Sequence, residues 1–374
     1  MSKRMRNALM LFAVSLFLIG CDEKSGYGEN GGYGENNSLA SNVKTPLSEA
    51  QIYSKLKSSI VKVKCYDLSK TKVLSQGTGF FIDSKGTFLT NYHVIDKSYY
   101  VSITTSSGSE KWVSTINYYD YTTSDYAICK IDSFNSTSVT FSNSYKNGDS
   151  VYSLGFPNNS TSLKQSQGKI INKEITANGK KYIENDASAN HGSSGGVLCD
   201  RYGNVIGITT CELASNYGAI PYSSFSSNLS SKKTNKSPLE AFHNVRKVSL
   251  STLGIGTYFD YGYSVQSIGT GSMTSFSYYL RFKSAYVNKV VLDTNYLYIS
   301  IRFSADYTYS LTSSSTQTNK FTANQYESVY LYSSDLSSGK SGTASVYYSA
   351  SKIIKVDNPQ MKFFSTSGRF LVVG

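Results

Sequence analysis

Alternation is the property of this sequence that most limits its fold. Runs such as Ser275-Phe276-Ser277-Tyr278-Tyr279-Leu280-Arg281-Phe282, Tyr296-Leu297-Tyr298-Ile299-Ser300-Ile301-Arg302-Phe303, Ser328-Val329-Tyr330-Leu331-Tyr332 and Ala344-Ser345-Val346-Tyr347-Tyr348 follow the two-residue period of strands with one buried face. Between such runs lie Gly, Asn, Asp and Ser, the residues of turns. With 32 Tyr and 18 Phe against 5 Pro, the composition favours β-structure over a helix bundle or coiled coil and excludes collagen and full-length disorder. A length of 374 residues suits two or three domains. The formal charge of +12 is spread along the chain and no nucleic-acid motif accompanies it, so the excess reads as solvated surface and no nucleic-acid partner is expected.

The N-terminus reads as an address. Lys3, Arg4 and Arg6 precede an apolar run from Ala8 to Ile19 that is too short to span a bilayer comfortably, the order of a secretory signal over 1–20. Leu18-Ile19-Gly20-Cys21 resembles the bacterial lipobox, which implies cleavage before Cys21 and lipidation of its sulfur and new amino group. Several acyl chains anchor stably where one does not. Cleavage removes three basic residues, so 12 − 3 leaves +9. Residues 21–45, with Gly26-Tyr27-Gly28-Glu29-Asn30 repeated as Gly32-Tyr33-Gly34-Glu35-Asn36, read as a Gly-rich tether with a reach of about 25–30 Å. The expected location is the bacterial cell envelope, periplasmic or at the cell surface, with Asp22-Glu23 bearing on the sorting.

Thr45-Pro46 opens a helix with apolar Ile52, Leu56 and Ile60, and a strand follows over Ile60–Cys65. Three local patterns then belong together. Gly77–Ile82 and Thr87–Thr90 form a hairpin leading into Thr90-Asn91-Tyr92-His93-Val94. Ser124-Asp125-Tyr126-Ala127-Ile128 sets a carboxylate before an apolar strand. Asn190-His191-Gly192-Ser193-Ser194-Gly195-Gly196-Val197 sets a serine among glycines, ahead of Val205–Ile208. Acyl transfer by a serine needs a base, a carboxylate to orient it and backbone donors for the oxyanion. His93, Asp125 and Ser194 supply the side chains, and a turn at Gly192 lets its N–H and that of Ser194 converge, within a candidate oxyanion segment of Gly192, Ser193 and Ser194.

The order His, Asp, Ser in these contexts resembles the trypsin-like serine proteases, and among them the HtrA/Deg type, over about residues 46–225. Gly218-Ala219-Ile220-Pro221 is similar to that family's closing G-F-A-I-P. The resemblance implies a chymotrypsin-like double β-barrel over 46–227, two six-stranded barrels with the triad at their interface, and an endopeptidase that cleaves unfolded or partner proteins. His191, Ser193 and Val197 depart from the family's usual Pro, Asn and Pro, the first two beside the oxyanion turn. Ser188 falls six before the nucleophile, so a preference for Lys or Arg is disfavoured. Ser188, Ala189, His191, Ile208, Thr209 and Thr210 form the candidate specificity pocket, small to medium and mostly apolar, while His191 with Thr210 also allows a glutamyl-endopeptidase-like reading.

The remaining signals are plainer. Cys65 and Cys129 read as buried thiols, with a bridge between them as the alternative, and hairpin register sets Cys199 opposite Val205 or Ile206 and away from Cys211. Three His and no close Cys pair leave no metal site, and no cofactor is expected. Residues 228–249, rich in Ser, Lys and Asn, read as a linker with a short helix from Pro238 to Arg246; no PDZ pattern follows. Residues 250–374 read as about seven short strands in an immunoglobulin-like β-sandwich. The whole is a mainly β chain whose partners are protein or peptide substrates and, through Cys21, a membrane; an oligomer is allowed. The competing function is a catalytically inactive protease fold that binds at a surface through its C-terminal domain.

Overall fold

The computed structural model describes residues 44–268, 273–312, 316–348 and 352–374; the signal, Cys21 and nearly all of the tether lie outside them. Residues 45–374 form one compact unit.

It opens with helix α1 (Glu49–Leu56), which starts later than Thr45-Pro46 because Ser48 and Gln51 make a reciprocal capping box that outcompetes a proline start. Ile52 and Leu56 bury its inner face. Seven strands follow: β1 (Ile60–Tyr66), β2 (Val73–Phe81), β3 (Thr87–Thr90), β4 (Tyr100–Thr104), β5 (Glu110–Trp112), β6 (Thr115–Asp120) and β7 (Tyr126–Lys130), with the short helix α2 (Tyr92–Ile95) after β3. They form one sheet in the order β5-β4-β1-β2-β3-β7-β6, a half-barrel where a closed six-stranded barrel was expected. The edge strands are consecutive in the chain, and Val113 and Ser114 between them donate to Val101 and Lys130 on the two neighbouring strands, so a loop stands where a ladder would close.

The next six strands, β8 (Ser150–Gly155), β9 (Lys164–Ala177), β10 (Lys180–Asn185), β11 (Val197–Asp200), β12 (Val205–Leu213) and β13 (Asn216–Pro221), do close into a barrel. Its β11–β12 hairpin pairs Cys199 with Val205. One core joins half-barrel to barrel, through Phe80, Leu89, Tyr126 and Ile128 on one side and Leu154, Val197, Ile208, Ile220 and Phe225 on the other. The cleft above this core is where α2, the start of β7 and the β10–β11 segment meet.

The stretch expected as a linker is ordered. Helix α3 (Pro238–Phe242) has Pro at its first position and a Ser237–Glu240 capping box, and it ends at His243, short of Arg246. Strand β14 (Val245–Ser249) pairs with the last strand of the chain, which makes it part of a sheet. After α4 (Ile255–Tyr258) come β15 (Phe259–Ile268), β16 (Met273–Phe282), β17 (Val290–Leu292), β18 (Leu297–Ser310), β19 (Thr318–Leu331), β20 (Lys340–Tyr347), β21 (Lys352–Ser367) and β22 (Arg369–Val373).

These strands build sheets β15-β16-β20, β19-β18-β21 and β14-β22-β17. The first two sandwich Phe276, Leu280, Ile299, Ile301, Phe303 and Tyr307, giving a β-sandwich-like second domain with three strands to each face. Its strands are longer than the turn spacing suggested: β18 and β19 run 14 residues and β21 runs 16. Register shifts in the β18–β21 ladder, between Ser300 and Ile301, Ser304 and Asp306, and Thr308 and Tyr309, bend β21 where a turn would otherwise be needed.

Candidate active site

Helix α2 is too short to hold a side chain rigid by itself, and its surroundings fix it. The Val94 carbonyl accepts from Ser75 Oγ at 2.5 Å and from the Cys65 thiol at 3.1 Å. Asn91, its N-cap, turns its amide to the Asp125 carbonyl at 2.6 Å, which ties the helix to the start of β7. His93 therefore faces Asp125: Nδ1 lies 2.5 Å from Oδ2, and the His93 backbone N–H donates to Oδ1 at 2.9 Å. The carboxylate is 15% exposed and the imidazole 49%. Burial pushes the Asp125 carboxyl up, but the bond to His93, its charge and its amide, with Lys180 further off, outweigh this and hold it below the usual range. It stays ionised and fixes the ring's orientation.

Ser194 reaches this pair through β12. Its hydroxyl donates to the Thr210 carbonyl at 3.2 Å, and the Thr210 hydroxyl donates to Asp125 Oδ2, also at 3.2 Å. His93, Asp125, Thr210 and Ser194 thus form one connected group. Among the described residues there is no hydrogen bond between Ser194 and His93, a geometry common in unliganded acyl-transfer sites.

The turn before Ser194 has a defined form. The Ser193 N–H donates to the Asn190 carbonyl at 2.9 Å, and Gly192, the third residue, has φ +94° while His191 does not share the left-handed region. That combination is a type II turn, which requires glycine at its third position. A Cβ on Gly192 would come within 2.5 Å of the Phe156 carbonyl oxygen. The central peptide is oriented so that the His191 carbonyl accepts from the Asn158 N–H at 2.5 Å, and the N–H groups of Gly192 and Ser194 have no acceptor among the described residues. Ser193, expected as part of the oxyanion segment, has its N–H engaged inside the turn. From the other side Thr78 grips the turn: its hydroxyl donates to the Gly192 carbonyl at 2.8 Å and its N–H to the Ser194 carbonyl at 2.8 Å.

The expected pocket divides. Ile208 is fully buried in the shared core, and Thr209 is buried against Ser153, so neither lines a pocket. Thr210 has its hydroxyl on Asp125, which removes the hydroxyl that a glutamyl-specific pocket needs. Ala189 is buried and His191 exposed. Ser188, with Asn190 and Ser193, lines a cavity behind the turn whose far wall is Ser153, Gly155 and Gln165. Sequence reading missed Thr78 and Asn158; the only signal for Asn158 was a Pro157-Asn158-Asn159 turn.

The three thiols with described side chains, Cys65, Cys129 and Cys199, are free and buried. Burial pushes Cys65 up to about 12 and Cys129 and Cys199 higher, so none is a nucleophile at neutral pH.

Residues 77–208 match the family model described as a trypsin-like peptidase domain. Among curated proteins the chain is 31% identical over 156 residues to a probable periplasmic serine endoprotease DegP-like of Chlamydia pneumoniae, covering 40% of this chain and 32% of that protein. It is 26% identical over 222 residues to the human serine protease HTRA4, covering 55% and 46%. The chain spans about a fifth to a third of the length of the first curated relatives it matches. An HtrA-type protease, AlgW S227A with a tripeptide, aligns at 25% identity with a TM-score of 0.44, covering 49% of this chain and 64% of the other.

Proposed function

From the match of residues 77–208 to a trypsin-like peptidase domain and the similarity to HtrA-type proteases, we propose that the chain is an exported, lipid-anchored serine endopeptidase acting on unfolded or partner proteins. The observation that carries the reading is the connected group His93–Asp125–Thr210–Ser194 beside a type II turn with two unpaired N–H groups.

Rotation of Ser194 away from the Thr210 carbonyl brings its hydroxyl to His93, which takes the proton as the oxygen attacks the peptide carbonyl. Asp125 holds the imidazole in the tautomer with its proton on Nδ1 and stabilises the imidazolium. The amides of Gly192 and Ser194 receive the oxyanion. His93 then protonates the leaving amine, and a water activated by His93 hydrolyses the acyl-enzyme. Cys21 supplies the anchor, and Gly-rich residues after it let the protease reach substrates above the membrane.

A fluorophosphonate probe and casein test this on the wild type and Ser194→Ala side by side. Wild type is expected to be labelled and to cleave, and Ser194→Ala to lose turnover on the order of 10⁶-fold. The competitor is a catalytically inactive protease fold that binds at a surface; an unlabelled wild type would decide for it. Lipid anchoring is tested separately, by loss of acyl labelling in Cys21→Ser.

A further inference from the structure

Sheet β19-β18-β21 buries one face in the sandwich and leaves the other uncovered. On the uncovered face Tyr298 stands opposite Tyr330, and Arg302 stands between Tyr326 on one side and Lys362 on the other. Phe364, the extra residue where β21 shifts register, turns onto this face and meets Tyr326 edge to face at 5.1 Å. Tyr326 is 48% exposed and Phe364 61%. Exposed rings grouped in this way mark an interaction surface.

The cations narrow the occupant. Arg302 and Lys362 are directly opposite across β18 and β21, a like-charge pairing that destabilises a sheet, and neither makes an ion pair among the described residues. Hydroxyls lie beside them: Ser328 and Ser365 flank the buried Ser300, and Tyr298 Oη lies 3.4 Å from Ser328 Oγ. β18 is the central strand and is paired on both sides, so this face, unlike the edges at β19 and β21, offers no ladder to an added peptide strand, and recognition on it falls to rings, hydroxyls and charges. The cations on this face are also discontinuous. Between Arg302 with Lys362 and the next pair, Lys320 and Lys355 either side of Thr308, Asp306 stands opposite Asp357, which a densely charged strand would meet.

We propose that this face binds an acidic polysaccharide with sparse carboxylates. Sugar rings lie on Tyr326 with Phe364 and on Tyr298 with Tyr330, and one uronate carboxylate sits between Arg302 and Lys362. Tyr326 and Tyr330 are four residues apart on one strand, about 13 Å, the span of a short oligosaccharide. Arg binds a carboxylate with two parallel N–H donors, and the pair relieves the repulsion that the free sheet carries.

The test is calorimetric titration of the whole chain with a hyaluronan oligosaccharide, which carries one carboxylate per disaccharide, its methyl ester and oligo(dT). Saturable binding of the hyaluronan oligosaccharide is expected, weakened at least about tenfold by esterification, by Arg302→Gln with Lys362→Gln, and separately by Tyr326→Ala. Tyr279→Ala, an exposed ring on the other sheet, leaves binding unchanged. The double Gln variant keeps or raises the unfolding temperature, which separates lost binding from lost fold. No saturable binding of the hyaluronan oligosaccharide, equal affinity for the ester, tighter binding of oligo(dT), or Tyr326→Ala without effect overturns the proposal.

Discussion

Replacing Gly192 by alanine isolates the oxyanion turn from the rest of the site. In the present turn an alanine would carry φ +94° at a cost of about 1–2 kcal/mol, and its Cβ would overlap the Phe156 carbonyl oxygen at 2.5 Å, a backbone atom that cannot swing aside. The relaxed alternative is a type I turn, whose third residue has negative φ. That change rotates the central peptide, breaks the His191 carbonyl bond to the Asn158 N–H and turns the residue-192 N–H away from the side facing Ser194. A net backbone hydrogen bond is worth about 0.5–1.5 kcal/mol, less than the strain plus the overlap, so the turn flips. The fold then loses little, a few degrees in Tm, while the transition state loses one of its two donors. Loss of one such donor lowers turnover about 10²–10³-fold. Initial rates on casein and on a short peptide, with scanning calorimetry on the same sample, separate the two effects: kcat falls by that factor and KM holds. A variant within about threefold of wild-type kcat at unchanged Tm would refute the assignment of the Gly192 amide.

Thr210→Val removes the hydroxyl that Asp125 accepts; kcat/KM is expected to fall about tenfold, with Thr210→Ser near wild type, because a bond to a charged group is worth roughly 1.5–3 kcal/mol. Iodoacetamide at pH 8 should leave Cys65, Cys129 and Cys199 unmodified in the native protein and alkylate all three in denaturant, read by peptide mapping; a Cys65–Cys129 disulfide in the map would contradict the free thiols. Glu184 accepts from the side-chain amides of Asn172 and Asn216, which hold its carboxyl below the usual range despite burial. Its folded pKa is depressed, so its contribution is present above the unfolded value and lost as pH falls through the folded one: Glu184→Gln should lower Tm at neutral pH and match wild type in acid.

How much of this was legible depended on sequence distance. The serine, its glycines and the residues around His93 and Asp125 advertise themselves because each does its chemistry within a few positions of its neighbours in the chain. Thr78 holds the Gly192 carbonyl from 114 residues away, and no local pattern distinguishes it from any strand threonine. Thr210 was visible as a residue near the nucleophile, but only the fold turns its hydroxyl from the pocket to Asp125. The C-terminal strands were readable by period and not by length, since β18 and β19 pair without a break over 14 residues and bulges let β21 follow β18 past the places where composition suggests turns.

The segment read as a linker shows why composition misleads at a domain boundary. Its Ser, Lys and Asn describe the solvent side of residues 228–249, while a few apolar side chains decide their position. Phe242 packs on Tyr92 and Tyr119, with ring centroids 6.0 and 5.8 Å away, and His243 stacks on Tyr99 at 3.8 Å and donates to the Ser98 carbonyl. On the far side Leu239 joins Val245, Leu371 and Val373, so α3, β14 and β22 share a cluster with Leu68 and Tyr99 of the half-barrel. Tyr92 precedes His93 in α2 and is further held by its hydroxyl on Asp96. The aromatic packing that seats the second domain is thus the packing that backs the helix carrying His93, and a flexible hinge at 228–249 is incompatible with it.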